Sequence, residues 1–181
     1  MDPLNKLRSM TSGMGIYQHG KFDRPDPGFG YALEDQARAL MVASEFKDEK
    51  LKDVYINFIL DAQRPDGLLY HFYFYRDIGN FSNGEGLFRN EEYGSKSNVK
   101  EAYGLTLWSL LASDINKDDD LQKIIKNLIK DAYNWTSPRA ISSALLGLIH
   151  LDRPHSLESR IKTKLFNYYL GSRSEGWEWF E

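Results

Sequence analysis

The chain has 181 residues, 41% hydrophobic and 27% charged, which predicts one compact domain able to bury roughly 70% of its unfolded surface. It contains no cysteine, which excludes disulfides, thiol catalysis and cysteine metal sites. With 23 basic against 26 acidic residues the net charge is -3, so nothing predicts the positive field that binding nucleic acid requires.

Met1-Asp2-Pro3-Leu4-Asn5-Lys6-Leu7-Arg8 has no apolar signal core, and no later apolar run approaches the ~20 residues of a membrane span. The expectation is a soluble, cytoplasmic protein without a membrane partner. The first 30 residues are rich in glycine and proline and read as a loop packed against helices. Helical periodicity then predicts a first pair of helices, from about Tyr31 to Lys47 and from Asp48 to Ala62. Leu40, Ala43 and Phe46 form the apolar stripe of one, and Leu51, Tyr55, Phe58 and Ile59 that of the other.

Asp66-Gly67 marks a turn, and the aromatic run from Leu68 to Tyr75 has strand propensity. Asp77 to Ser97 reads as a long polar loop, a length that usually marks a functional or mobile segment. A second helical pair is predicted over Val99 to Ser113 and Asp118 to Tyr133. Asn98 with Glu101 three residues on suggests a capping box at its start, and Asp118, Asp119 and Asp120 suit the positive end of the following helix. The third pair opens at Ser137-Pro138, a cap followed by proline at the first helical position, and reaches about Leu151. Ser156 is expected to cap a last helix that Gly171 stops after Leu170.

The first helices of the three pairs are apolar nearly all round, whereas their partners are amphipathic, as Leu121 to Lys130 shows. Inner and outer helices thus alternate three times, the pattern of αα-hairpins stacked on a shared core. The fold class expected is all-α: three αα-hairpins forming a partial (α/α) toroid, with a small aromatic β element after the second helix.

Polar residues gather at the openings of the inner helices: Glu34 and Asp35 on the first, Lys100 and Glu101 on the second, Arg139 on the third. Parallel inner helices bring these openings to one rim. Two carboxylates across a cleft are the minimum equipment of glycoside hydrolysis, and an inverting enzyme holds them roughly 6.5–9.5 Å apart. One stays protonated as general acid while the other activates water. Asp35 is the candidate for one role, and Glu101 or Glu34 for the other. Capping and the helix dipole give acidic helix starts a purely structural purpose as well. Tyr17, Tyr31 and Trp177, together with the aromatic run around His71, offer rings on which the apolar faces of a sugar can stack.

Several motifs resemble those of the (α/α) toroid domains of carbohydrate-active proteins, in particular glycosidase-like domains found beside sugar transferases. Gly15-Ile16-Tyr17-Gln18-His19 is similar to that group's G-I-x-Q-H opening. Gly30-Tyr31-Ala32-Leu33-Glu34-Asp35-Gln36-Ala37-Arg38-Ala39-Leu40 resembles its G-Y-x-x-D-D-N-A-R-A-L helix start, with Glu34 and Gln36 as substitutions. Gln63-Arg64-Pro65-Asp66-Gly67 and Gly176-Trp177 resemble the Q-x-x-D-G and G-W turns of α/α toroids. The family's acidic-serine-histidine-glycine-arginine stretch is matched only by Glu101-Ala102-Tyr103-Gly104-Leu105, so its arginine is missing. The resemblance implies an oligosaccharide or glycoside as ligand, with Gln18, His19 and Arg38 beside it. It also implies a ring of six hairpins, of which this chain supplies three. Completion by further chain or by another copy is therefore expected, and with it a homo-oligomer.

No cofactor is expected. The four histidines have no metal-ligand spacing, so no metal site is expected either. Ser12-Gly13-Met14-Gly15 is too short for a phosphate loop, and no nucleophile elbow is present. The competing expectation is a helical-repeat domain that binds a protein partner on its concave face.

Overall fold

The computed structural model describes residues 2–22, 24–75, 86–89, 91–92, 95–96, 99–113, 115, 118–151 and 155–175. The chain is mostly helical with small antiparallel sheets, and it divides into two compact units, Met1–Val99 and Lys100–Glu181.

The first unit opens with a short helix α1 (Asn5–Ser9), then a hairpin of β1 (Gly20–Lys21) and β2 (Arg24–Pro25), and a 3-10 turn at Pro27–Phe29. The expected opening loop therefore contains a helix and a hairpin, both too short to leave a periodic signal. β3 (Tyr31–Ala32) runs directly into α2 (Leu33–Glu45), which is followed by α3 (Glu49–Asp61) and β4 (Phe72–Tyr75). β5 (Gly86–Arg89), β6 (Glu91–Glu92) and β7 (Ser95–Lys96) come next, β6 and β7 pairing as a hairpin. Where a loop is expected from Asp77 to Ser97, the described residues thus include three strands.

β3, β4 and β5 form one antiparallel sheet with β4 in the middle, Tyr31 opposite Tyr73 and Ala32 opposite Phe72. This register sets the start of α2. Its N-cap residue is Ala32, which has no capping side chain, and the first helical N–H, that of Leu33, donates instead to the His71 carbonyl at 2.7 Å. Gly30, just ahead, has φ 65°, and a Cβ there would stand 2.3 Å from the Tyr73 carbonyl oxygen. Only glycine meets both demands without strain.

α2 and α3 pack as a helical hairpin joined by a tight turn. Lys47 takes the left-handed conformation at φ 54°, and its N–H reaches the Ser44 carbonyl at 3.1 Å. The Asp48 N–H reaches Ala43 at 2.9 Å, so the last carbonyls of α2 are satisfied in the Schellman manner. Asp48 then caps α3 by accepting from Leu51 at 3.1 Å. Leu33, Ala37, Leu40 and Ala43 of α2 and Tyr55, Phe58 and Ile59 of α3 are buried, as the predicted stripes require apart from exposed Phe46.

The second unit holds α4 (Val99–Ala112), α5 (Asp119–Ala132), α6 (Pro138–Leu148) and α7 (Ser156–Glu175). Asp118 caps α5 by accepting from Asp120 and Leu121, and Ser137 caps α6 by accepting from Ala140, ahead of Pro138. α4 and α6 run side by side in the same direction. Glu101 meets Ser137 at their starts; further along, a Cβ on Gly104 would stand 2.5 Å from the Ala140 carbonyl oxygen, and one on Gly147 2.8 Å from the Trp108 Cα. Small residues let the two backbones touch. Amphipathic α5 buries Leu121, Ile124, Ile125 and Leu128, and α7 buries Leu157 and Ile161.

Two expected helix boundaries change. α7 continues through Gly171 to Glu175, since one internal glycine costs only about 1 kcal/mol against the rest of the helix. Ser156 is already the first helical residue; the Leu157 N–H is accepted by His155 Nδ1 at 3.1 Å, while the Ser156 hydroxyl bonds the Tyr133 hydroxyl at 2.7 Å. Asn98, the expected cap of α4, lies outside the described residues. Among the described residues no helix is long and apolar enough to cross a membrane.

Candidate functional site

The first turn of α2 brings two acids to one spot. Glu34 and Asp35 precede Arg38 by four and three residues, spacings that place all three side chains on one helix face. Arg38 Nη1 lies 3.0 Å from Asp35 Oδ1 and 3.6 Å from Glu34 Oε1, so one guanidinium nitrogen serves both carboxyls. The sheet register adds His71, whose Nε2 stands 4.0 Å from Glu34 Oε2. The His71 side chain is only 7% exposed and its ring stacks on Phe72 at 4.0 Å.

Burial of the Asp35 carboxyl, followed by the negative charge of Glu34, pushes it from 3.8 up to about 6; Arg38 and then His19 oppose the rise. A shift of that size corresponds to roughly 3 kcal/mol against the charged form. The dipole at a helix start favours the charged form by only about 0.3–1 kcal/mol, so burial wins. Asp35 can therefore hold a proton in mildly acidic solution and release it near neutrality, as a proton donor must.

The segment over this helix start is held by a buried latch. Gln36 Oε1 accepts from the Ile16 N–H at 2.7 Å, and Gln36 Nε2 donates to the Ile16 and Ala32 carbonyls at 2.8 and 3.1 Å. A Cβ at position 15 would stand 2.4 Å from Gln36 Oε1, which is why glycine occupies it. The two motifs of the sequence, Gly15 to His19 and Gly30 to Leu40, are thereby one interlocked structure. Gln18, half-buried, donates its N–H to the Gly30 carbonyl at 3.0 Å, and half-buried Tyr17 stacks on Tyr31 at 4.8 Å. Exposed His19 packs edge-on against Phe29 at 4.6 Å.

Tyr31, His71 and Glu101 are each held by contacts of their own. Tyr31 is a core residue with 0% exposure, its hydroxyl bonded to Ser12 Oγ at 2.9 Å, and it has no face to offer a sugar. His71 is likewise turned inward to Glu34. Glu101 belongs to the second unit, where its carboxylate accepts from Ser137 Oγ at 3.2 Å and pairs with Arg139 at 3.5 Å. It ties the start of α4 to that of α6. Trp177 lies outside the described residues. Phe29, 37% exposed beside His19, adds to the candidate site a ring that sequence reasoning missed; the preceding Asp26-Pro27-Gly28 turn, capped by Asp26, is the signal that it is displayed at the surface. Among the described residues no group of three or more His, Asp or Glu side chains is arranged to hold a metal ion.

Two carboxyls sharing one guanidinium nitrogen face the same spot, whereas the acid and base of an inverting glycosidase flank a bond from opposite sides. Glu34 is thus placed to set the proton of Asp35 rather than to activate water opposite it. No family model matches the chain, and no curated protein or solved structure matches it either.

Proposed function

We propose that the first unit is a carbohydrate-active domain whose working group is Asp35. The observation that carries this reading is a carboxyl raised to about 6 by burial and by Glu34, with 27% of the side chain still exposed at a helix start. In a hydrolase, Asp35 protonates the leaving glycosidic oxygen as its bond to the anomeric carbon breaks, and water adds to that carbon, its proton passing to bulk solvent. In a non-catalytic relative, the same protonated carboxyl donates a hydrogen bond to a sugar hydroxyl. Tyr17, Gln18 and the His19–Phe29 ring pair contact the sugar in either case, and the toroid-like motifs support this choice of ligand. The expected partial toroid belongs to the same proposal.

Turnover of an oligosaccharide panel at pH 5–7, read with the saccharide-induced rise in melting temperature, tests it. A rise with turnover supports a hydrolase, and a rise without turnover supports a binding domain. Neither response across the panel removes the carbohydrate reading.

A second reading, a helical-repeat domain that binds protein or a second copy of itself, is favoured by α7. Phe166, Tyr169 and Leu170 sit at spacings of three and four residues and are 59%, 49% and 48% exposed. Mass by light scattering above that of one chain, reduced by Phe166→Ser, supports this reading.

A further inference from the structure

We infer that His71 is a positioning residue for Glu34, fixing where that carboxylate stands beside Asp35. This deepens the site reading proposed above and rests on it only for its role in turnover. His71 is anchored twice. Its carbonyl accepts from the Leu33 N–H at 2.7 Å, which ties residue 71 to the helix position immediately before Glu34. Its ring is buried and stacked on Phe72 at 4.0 Å, which fixes the plane of the imidazole. From there Nε2 faces Glu34 Oε2 at 4.0 Å, while the other oxygen of Glu34 faces Arg38 at 3.6 Å.

Glu34 thus has a polar neighbour on each side, each at ion-pair rather than hydrogen-bond distance. The Glu34 side chain is 33% exposed, so without the imidazole it has open solvent to turn into. A carboxylate that turns outward gains water and loses its hold on its neighbours, and its repulsion of Asp35 weakens with distance.

Among the described residues, the elements near this pair carry other charged and titratable groups. α2 contributes Asp35 and Arg38, and the latched segment contributes His19, which acts on Asp35. β3 and β4 contribute Tyr31 and Tyr73, opposite one another in the sheet. β5 contributes Arg89, whose guanidinium lies 4.2 Å over the Phe74 ring. β2, in the hairpin ahead of β3, carries Arg24, which is exposed.

The test is a carboxyl-carbon NMR titration of Asp35 in the full chain, without ligand, comparing the wild type with His71→Phe. Phenylalanine keeps the buried ring and its stacking but removes the polar edge that faces Glu34. The expected result is a fall in the Asp35 midpoint of roughly 0.5 pH unit, because the raising charge of Glu34 is no longer held in place. On a Glu34→Gln background the same change at position 71 should leave the Asp35 midpoint where it is. If His71→Phe does not fold, His71→Asn, which is too short to reach Glu34, carries the same comparison. An unmoved or raised midpoint overturns the inference, and so does an equal shift on the Glu34→Gln background. A wild type that turns over no glycan would remove the hydrolase reading without touching this result.

Discussion

α2 and α4 both carry acidic residues in their first turn, and the two units use them in opposite ways. In the second unit Glu101, at the start of α4, and Asp131, in the last turn of α5, each link one helix to another. Glu101 joins α4 to α6 through Ser137 and Arg139, and Asp131 accepts from Lys100 Nζ at 2.6 Å and from the Trp135 indole at 2.7 Å. In the first unit Glu34 and Asp35 crowd onto one arginine of their own helix, and Asp35 becomes hard to ionise. The residue type is shared, and Glu101, Glu34 and Asp35 share its place at a helix start as well. What differs is the surroundings: burial first, and the charge of Glu34 second, make Asp35 a proton store against the pull of Arg38, whereas Glu101 is a tie between a hydroxyl and a guanidinium of another helix.

The largest expected contrast is catalytic. If the first unit is a hydrolase, Asp35→Asn should lower kcat by about 10²–10⁴-fold while leaving sugar affinity nearly unchanged, measured by turnover and by calorimetry. Wild-type turnover in that variant breaks the comparison at its first term.

On the structural side, Asp131→Ala should lower stability by about 2–3 kcal/mol in urea unfolding. It strips the acceptor from the buried Trp135 indole and from Lys100 together. A loss well under 1 kcal/mol would mean that the acids of the second unit are not ties.

Asp35 should also leave a mark on stability, of opposite sign. Its folded value is raised from 3.8 to about 6, so between those values the folded chain holds a proton that the unfolded chain has released. Its contribution is most favourable at or below pH 3.8 and is lost as pH rises to about 6. Asp35→Asn should therefore be more stable than wild type by roughly 1–2 kcal/mol at pH 7, with a flatter pH dependence over that interval. A variant equally stable or less stable at pH 7 would contradict the assignment.

The smallest effect belongs to Glu101→Gln. Its arginine partner is largely exposed, so unfolding should show a loss of under about 1 kcal/mol, whereas a larger one would make Glu101 more than a surface tie.

Much of the helical framework was legible. The capping patterns at Asp118 and Ser137-Pro138, and the stripes on α2 and α3, place these four helices close to where they fold. Those signals are local, written in spacings of three and four residues. The β elements were less legible because they are short and paired at a distance. β5 has four residues, and it becomes a strand by pairing with β4. The site was half legible. Glu34, Asp35 and Arg38 are helix neighbours, so their meeting follows from spacing. The facing of Glu34 by His71 follows from the register of β3 on β4, which no local pattern encodes. The same holds for Gln36, where a polar residue in a core stripe becomes intelligible once Ile16 is seen to supply its partners.

The most direct test of the account is the titration of the Asp35 carboxyl itself, followed by carboxyl-carbon NMR in the full chain. The account predicts a midpoint near 6, falling when Glu34→Gln removes the neighbouring charge. A midpoint at the ordinary 3.8, unchanged by that substitution, would make Asp35 one more structural acid and erase the difference between the two units.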